Sequence, residues 1–129
     1  MRKLSVLLVD DNPQFLKAAR DIVAGLPGVA EIECANSGAE ALAQASQSRP
    51  DLVLTDIVMP GMSGFHVIRA LRARDAPPEI VAVTLHDSVE YRAAAQRCGA
   101  NTLVPKRDFG ALIPQLIASL AGVYDESPV

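Results

Sequence analysis

Asp10, Asp11, Asp56, Thr84 and Lys106 are the side chains whose types and settings suit them to chemistry. Each lies at the end of a short apolar run: Ser5–Val9, Leu52–Leu54, Ile80–Leu85 and Leu103-Val104. Runs of this length, rich in Val, Ile and Leu, read as strands buried on both faces. All of these side chains are then expected at the carboxyl ends of strands, the edge of an open α/β sheet where ligands bind. Three carboxylates brought together repel one another unless a positive charge sits among them. A hard divalent cation, Mg²⁺, fits such an oxygen-rich site. Lys106 adds a fixed positive charge and Thr84 a hydroxyl donor. A metal, an amine, a hydroxyl and a carboxylate nucleophile are the parts that phosphoryl transfer uses, with Asp56 becoming an aspartyl-phosphate. No His, Ser or Cys nucleophile has a comparable setting. Taken one at a time, each has a plainer reading. Asp10-Asp11 could be a strand-to-helix cap, Asp56 a turn residue, Thr84 an ordinary strand residue and Lys106 a solvated charge.

The elements that must position these groups follow from local patterns. Asn12 is a good N-cap and Pro13 suits the first helical position. Phe15, Leu16, Ala19, Ile22, Val23 and Leu26 then trace one helical face, which Gly25, Pro27 and Gly28 end. Val29–Ala35 reads as a second strand. Ser37 with Glu40 has capping-box spacing before Ala41, Leu42 and Ala45. After Asp56, Pro60 and Gly61 mark a turn, and a third helix through Phe65, Val67, Ile68 and Leu71 is expected to reach about Arg74. Pro77-Pro78 breaks the chain before the fourth strand. Ser88 starts a helix that ends near Cys98-Gly99, and Asp108 is expected to cap the last one, through Leu112, Ile113, Leu116, Ile117 and Leu120. Pro114 costs that helix a bond if it lies past the first turn. Five strands alternating with five helices predict a parallel sheet covered on both faces with right-handed crossovers. The flavodoxin-like order 2-1-3-4-5 sets the ends of strands one and three side by side.

Composition narrows the function classes. At 129 residues the chain is one domain, with half its residues hydrophobic and only 4% aromatic, so Val, Leu, Ile and Ala must build the core. A net charge of −3, without a block of Lys or Arg, gives no footprint for nucleic acid or an anionic membrane. No apolar run approaches the roughly eighteen residues of a membrane span. The run Val6–Val9 is too short for a signal peptide, so a cytoplasmic location is expected. Cys34 and Cys98 have no metal-binding spacing and are expected to be buried thiols. His66 is expected to be exposed or partly packed, and Tyr91 to serve packing or an interface. Residues 1–122 are read as the domain and 123–129 as a tail or the start of a linker.

In combination these motifs resemble the receiver domain of two-component response regulators. Val9-Asp10-Asp11 comes first, then Asp51-Leu52-Val53-Leu54-Thr55-Asp56-Ile57-Val58-Met59-Pro60-Gly61-Met62-Ser63-Gly64, then a strand-end Thr84 and Lys106. The resemblance covers residues 4 to about 121. It implies that Asp56 accepts a phosphoryl group from a phosphohistidine on a sensor histidine kinase or phosphotransfer protein. It implies Mg²⁺ held by Asp11, Asp56 and the Val58 backbone carbonyl, with Asp10 helping directly or through water. Lys106 would pair with the phosphoryl group, and Thr84 would swing to donate to it. Helix four, strand five and helix five, including Tyr91, Arg92, Gln96, Asn101, Thr102 and Arg107, would be the readout surface toward an output partner in transcription regulation, or toward a second copy in a homodimer. The domain would then be a phosphoacceptor switch and not a turnover enzyme.

The chain departs from the family pattern in several places. Leu103 stands where an aromatic is usual, three residues before the lysine, so the switch is expected to rest on backbone movement. Pro105 precedes Lys106 and Arg107 follows it, where Lys-Pro is usual. Ser63 replaces a common Asp and is expected to cap helix three. Leu85 follows Thr84 where a small residue is usual and could narrow access to the site. Val58 and His86 fall two residues after Asp56 and Thr84, places that in the family flank the route of the hydrolytic water, and the apolar Val58 then predicts slow loss of the phosphoryl group. A haloacid-dehalogenase-like phosphatase would need Asp at position 58 as general acid, and Val58 stands there. A receiver-like module that is never phosphorylated would not need the acidic pair, Asp56 and Lys106.

Overall fold

The computed structural model describes residues 2–122. Five parallel strands form one sheet in the order β2-β1-β3-β4-β5: β1 Leu4–Val9, β2 Val29–Ala35, β3 Leu52–Thr55, β4 Glu79–Thr84 and β5 Thr102–Pro105. Five helices connect and follow them: α1 Pro13–Ala24, α2 Gly38–Ser48, α3 Gly64–Arg72, α4 Val89–Cys98 and α5 Phe109–Ala121. This is the flavodoxin-like architecture expected from the alternation of elements.

The continuous apolar strands are explained by two cores, because successive side chains on a strand point to opposite faces. Val6, Leu8, Leu52, Leu54, Val81 and Val83 face α1 and α5, packing on Ala19, Val23, Phe109, Ile113 and Ile117. Leu7, Val9, Val53, Ile80, Ala82 and Leu103 face the other way, onto Ala41, Ala45, Val67, Ile68, Leu71, Ala95 and Cys98 of α2, α3 and α4. A one-residue slip of any central strand would exchange its two sets of contacts, so the register is tightly specified.

Local signals set most helix starts. Asn12 accepts from the amides of Gln14 and Phe15, Ser37 from Glu40, Ser63 from His66 and Ser88 from Tyr91. The Glu40 carboxylate reaches back to the Asn36 amide at 2.7 Å, one residue before the cap.

The last helix departs from expectation. Asp108 makes no capping bond; a 3₁₀ turn, Lys106–Asp108, leads straight into α5. Its backbone, φ −102° and ψ 7°, is not the extended conformation from which a cap reaches the next amides. Pro114 does lie past the first turn, and the bond it forgoes is the one to the Gly110 carbonyl. Three smaller differences are found. α3 ends at Arg72, Leu85 leaves β4 and is 74% exposed, and Cys34, on edge strand β2, is only half-buried. All peptide bonds among the described residues are trans, Val104–Pro105 included. The expectation of a tail at 123–129 falls outside the described residues.

Candidate phosphoacceptor site

Strand order brings the acidic groups together. The Asp56 amide donates to the Val9 carbonyl at 2.8 Å, extending the β1–β3 ladder by one residue, so Asp56 leaves the sheet beside Asp10. Carboxylate oxygens of Asp10, Asp11 and Asp56 all lie within 4.8 Å of one another. Asp10 and Asp56 are buried, and Asp11 is exposed. Each buried carboxylate has one oxygen held by backbone: Asp10 Oδ1 accepts from the Asn12 amide at 2.8 Å and Asp56 Oδ1 from the Ile57 amide at 2.7 Å. Their other oxygens face Lys106, whose Nζ lies 2.7 Å from Asp10 Oδ2 and 3.2 Å from Asp56 Oδ2. The contact to Asp56 is an aligned hydrogen bond. The shorter one to Asp10 is an ion pair off the hydrogen-bond line, so Asp10 Oδ2 is a buried oxygen without an aligned donor.

The electrostatics follow from this packing. Burial, and then the negative charge of Asp10, push the Asp56 carboxyl above its ordinary range; Lys106 and the Ile57 amide act against this but do not cancel it. Burial alone would push the Lys106 ammonium down. Asp10 and Asp56 outweigh burial, and its pKa is raised. The site thus holds more negative charge than its one ammonium neutralises. An orphaned buried oxygen within a set of three carboxylates is a donor set that fits a hard cation.

The remaining predicted residues take varied places. Thr84 is fully buried at the same sheet edge, and its hydroxyl accepts from the His86 amide at 3.0 Å, holding its own loop. Val58 follows in the loop after Asp56 and is 48% exposed. Leu103, within β5, is buried on the face covered by α2, α3 and α4. His66 and His86 are exposed, and Tyr91 packs between the rings of Phe65 and His86, at 5.8 and 5.3 Å. Arg92, Gln96, Asn101, Thr102 and Leu103 line a cavity of about 210 Å³ between α4 and β5. A larger cavity, about 1040 Å³, lies among Arg2, Arg49, Asp51 and Glu79, away from the acidic cluster.

Two relationships were not evident from sequence. Asp87, in the loop after β4, binds Arg92 at 2.9 Å and Arg107 at 3.2 Å, tying that loop to the turn that carries Lys106. Phe15, expected only as a core residue of α1, places its ring 4.5 Å from the Lys106 ammonium. An aromatic five residues after an acid at a strand end is the only signal the sequence gives for it.

Comparison with known proteins identifies the family. The family model for the response regulator receiver domain matches residues 6–116. This chain belongs to that family. Among curated relatives, the receiver domain is similar to the positive alginate biosynthesis regulatory protein of Pseudomonas aeruginosa, 38% identical over 91 residues, covering 70% of this chain and 37% of that protein. It is also similar to the transcriptional regulatory protein PrrA of Mycobacterium tuberculosis, 38% identical over 101 residues, 78% of this chain and 42% of that one. The receiver domain therefore spans less than half the length of these relatives. Among solved structures it superimposes on a LuxR-family two-component response regulator from Aurantimonas sp. SI85-9A1 with a TM-score of 0.85 at 28% identity, covering 98% of this chain and 91% of that one. It superimposes on the response regulator domain of Thermotoga maritima CheB with a TM-score of 0.81 at 25% identity, covering 97% and 100%. Among the described residues of the receiver domain, no helix is long and apolar enough to cross a membrane.

Proposed function

We propose that this receiver domain is a phosphorylation-driven switch in which Asp56 takes a phosphoryl group from a phosphohistidine on a sensor histidine kinase or phosphotransfer protein. A carboxylate oxygen of Asp56 forms the new O–P bond as the P–N bond to the imidazole breaks, leaving an aspartyl-phosphate and a free histidine. The observation that carries this reading is the convergence of Asp10, Asp11 and Asp56 within 4.8 Å, with Lys106 on the two buried members.

Asp10, Asp11 and Asp56, with the Val58 backbone carbonyl, would hold Mg²⁺, which when bound supplies positive charge to the phosphoryl oxygens. Lys106 gives up its bond to Asp56 Oδ2 and pairs with a phosphoryl oxygen. Thr84 keeps a hydroxyl proton to donate there, and turning it toward the site draws in the loop it now holds through the His86 amide. Phosphorylation replaces one negative charge with nearly two and adds strong acceptors, so the conformer in which Lys106 and Thr84 meet them gains population. Leu103 is already buried in the described conformer, which fits a switch built on loop movement. The readout falls on α4, β5 and α5, toward an output partner in transcription regulation or a second copy of the chain. The described residues form the receiver; a cytoplasmic setting suits a kinase partner. The domain acts as a phosphoacceptor and not as a turnover enzyme.

The test is incubation with Mg²⁺ and phosphoramidate followed by a phosphate-affinity gel. A retarded band, lost in Asp56→Asn, is expected. Its absence with any phosphodonor overturns the reading. Rapid phosphate release without a retained band would instead indicate a phosphatase.

A further inference from the structure

We propose that Phe15 is a positioning residue of the phosphoacceptor site, its ring face steering the Lys106 ammonium; this rests on the phosphoacceptor reading above. The Lys106 side chain is only 10% exposed, so its ammonium has lost most of its water. Two carboxylates replace part of that shell, at 2.7 and 3.2 Å, and the Phe15 ring takes up a further side with its centroid 4.5 Å from Nζ. An ammonium within about 6 Å of a ring centroid, over its face, is attracted by the ring quadrupole.

The ring is itself fixed from both ends of the site. The Phe15 amide donates to Asn12 Oδ1 at 3.2 Å, and the Asn12 amide donates to Asp10 Oδ1 at 2.8 Å, so ring and carboxylate are set by one short backbone segment. On the other side the Phe109 ring stands perpendicular to Phe15, at 86° and 5.5 Å. Phe109 is buried, and its amide donates to the Lys106 carbonyl, closing the 3₁₀ turn that the lysine opens. The aromatic pair therefore registers the lysine-bearing turn against the helix that follows the acidic pair.

A π face is broad and undirected, unlike a third carboxylate. It can hold the ammonium while Nζ exchanges Asp56 Oδ2 for a phosphoryl oxygen, without binding it in one place. Weakening the ring's quadrupole should then slow phosphoryl uptake even when packing is unchanged.

Fluorination tests this, because successive ring fluorines reduce cation attraction with little change of shape. The full chain carrying 4-fluoro-, 3,5-difluoro- or 3,4,5-trifluorophenylalanine at position 15 is treated with Mg²⁺ and phosphoramidate. The expected result is a stepwise fall in the rate of Asp56 labelling, about threefold to tenfold at the trifluoro ring. A second measurement does not depend on labelling: melting temperature without phosphodonor should fall along the series in the parent and stay level in Lys106→Met. A flat labelling rate, or equal melting trends in both backgrounds, overturns the proposal. If the unmodified chain takes no label while the melting series still depends on Lys106, the ring–ammonium contact stands and the phosphoacceptor reading fails.

Discussion

Gly64 presses against the backbone of Asp56: a Cβ there would lie 1.9 Å from the Asp56 carbonyl oxygen and 2.6 Å from the Ile57 Cα. The Gly64 amide donates to the Ile57 carbonyl at 2.7 Å, so the first residue of α3 closes directly onto the segment that carries Asp56. Backbone atoms on both sides leave no flexible group to yield. Gly64→Ala should cost roughly 3 kcal/mol, as overpacking does in a buried site, and should slow labelling of whatever protein stays folded. Urea unfolding and the phosphate-affinity gel read these separately.

Burial of Asp56 also sets a pH dependence. Burial first, and Asp10 second, raise the Asp56 pKa above its ordinary 3.8. The folded protein thus keeps this proton to higher pH than the unfolded chain does. That contribution favours folding below 3.8 and is lost as pH rises through the folded value, leaving an ionised carboxylate that opposes folding. In Mg²⁺-free buffer, Asp56→Asn should melt higher than the parent at pH 7 by about 3–5 °C, equivalent to ~1 kcal/mol. The difference should shrink toward pH 4. A constant difference across that window would contradict it.

Lys106 has the opposite part in the charge balance. Its buried ammonium is favoured by Asp10 and Asp56 against the effect of burial, so it stays charged through neutral pH and its contribution fades only in alkali. Lys106→Met leaves buried negative charge without its partner and should cost about 3 kcal/mol at pH 7. Mg²⁺ should raise the melting temperature of the parent in a concentration-dependent way and recover more in this variant. Asp11→Asn should weaken that response while scarcely changing stability without metal, because Asp11 is exposed.

Asp87 joins the loop after β4 to the turn carrying Lys106 through Arg92 and Arg107. Arg107 is 68% exposed, so the pair contributes little to global stability. Asp87→Asn should change unfolding free energy by under ~1 kcal/mol. Amide exchange at Leu85–Ser88 should nevertheless quicken, because opening of that loop is local.

Val58 gives a water approaching Asp56 no hydrogen-bonding side chain. Val58→Asn should speed loss of the phosphoryl group about fivefold, the effect of one added hydrogen bond of ~1 kcal/mol. The decay of labelled protein in Mg²⁺ buffer measures it, and an unchanged half-life would count against the assignment.

Much of this molecule is written locally. Runs such as Leu52–Leu54 and Ile80–Val83 specify strands covered on both faces because each alternate residue must leave water. Asn12, Ser37, Ser63 and Ser88 start helices because a short polar side chain reaches amides only two or three residues on. Asp10, Asp11, Asp56 and Lys106 could be read as site candidates because each sits where such a strand must end. Asp108 shows the limit of local signals: its type suits a cap, but the turn leading from Lys106 denies it the backbone conformation.

What the chain alone left open depends on sheet order and on groups distant in sequence. Lys106 meets Asp56 across fifty residues only because β5 lies one strand beyond β4 and β4 beside β3. Phe15 reads as one more apolar residue of α1, and only the packing of α1 against α5 sets its ring beside an ammonium. Gly64 fits its motif without showing why, until the helix start and the backbone just past β3 are seen in contact. Propensity and periodicity act over a turn or two of chain, whereas charge pairing and close packing depend on distances that only the assembled layers establish.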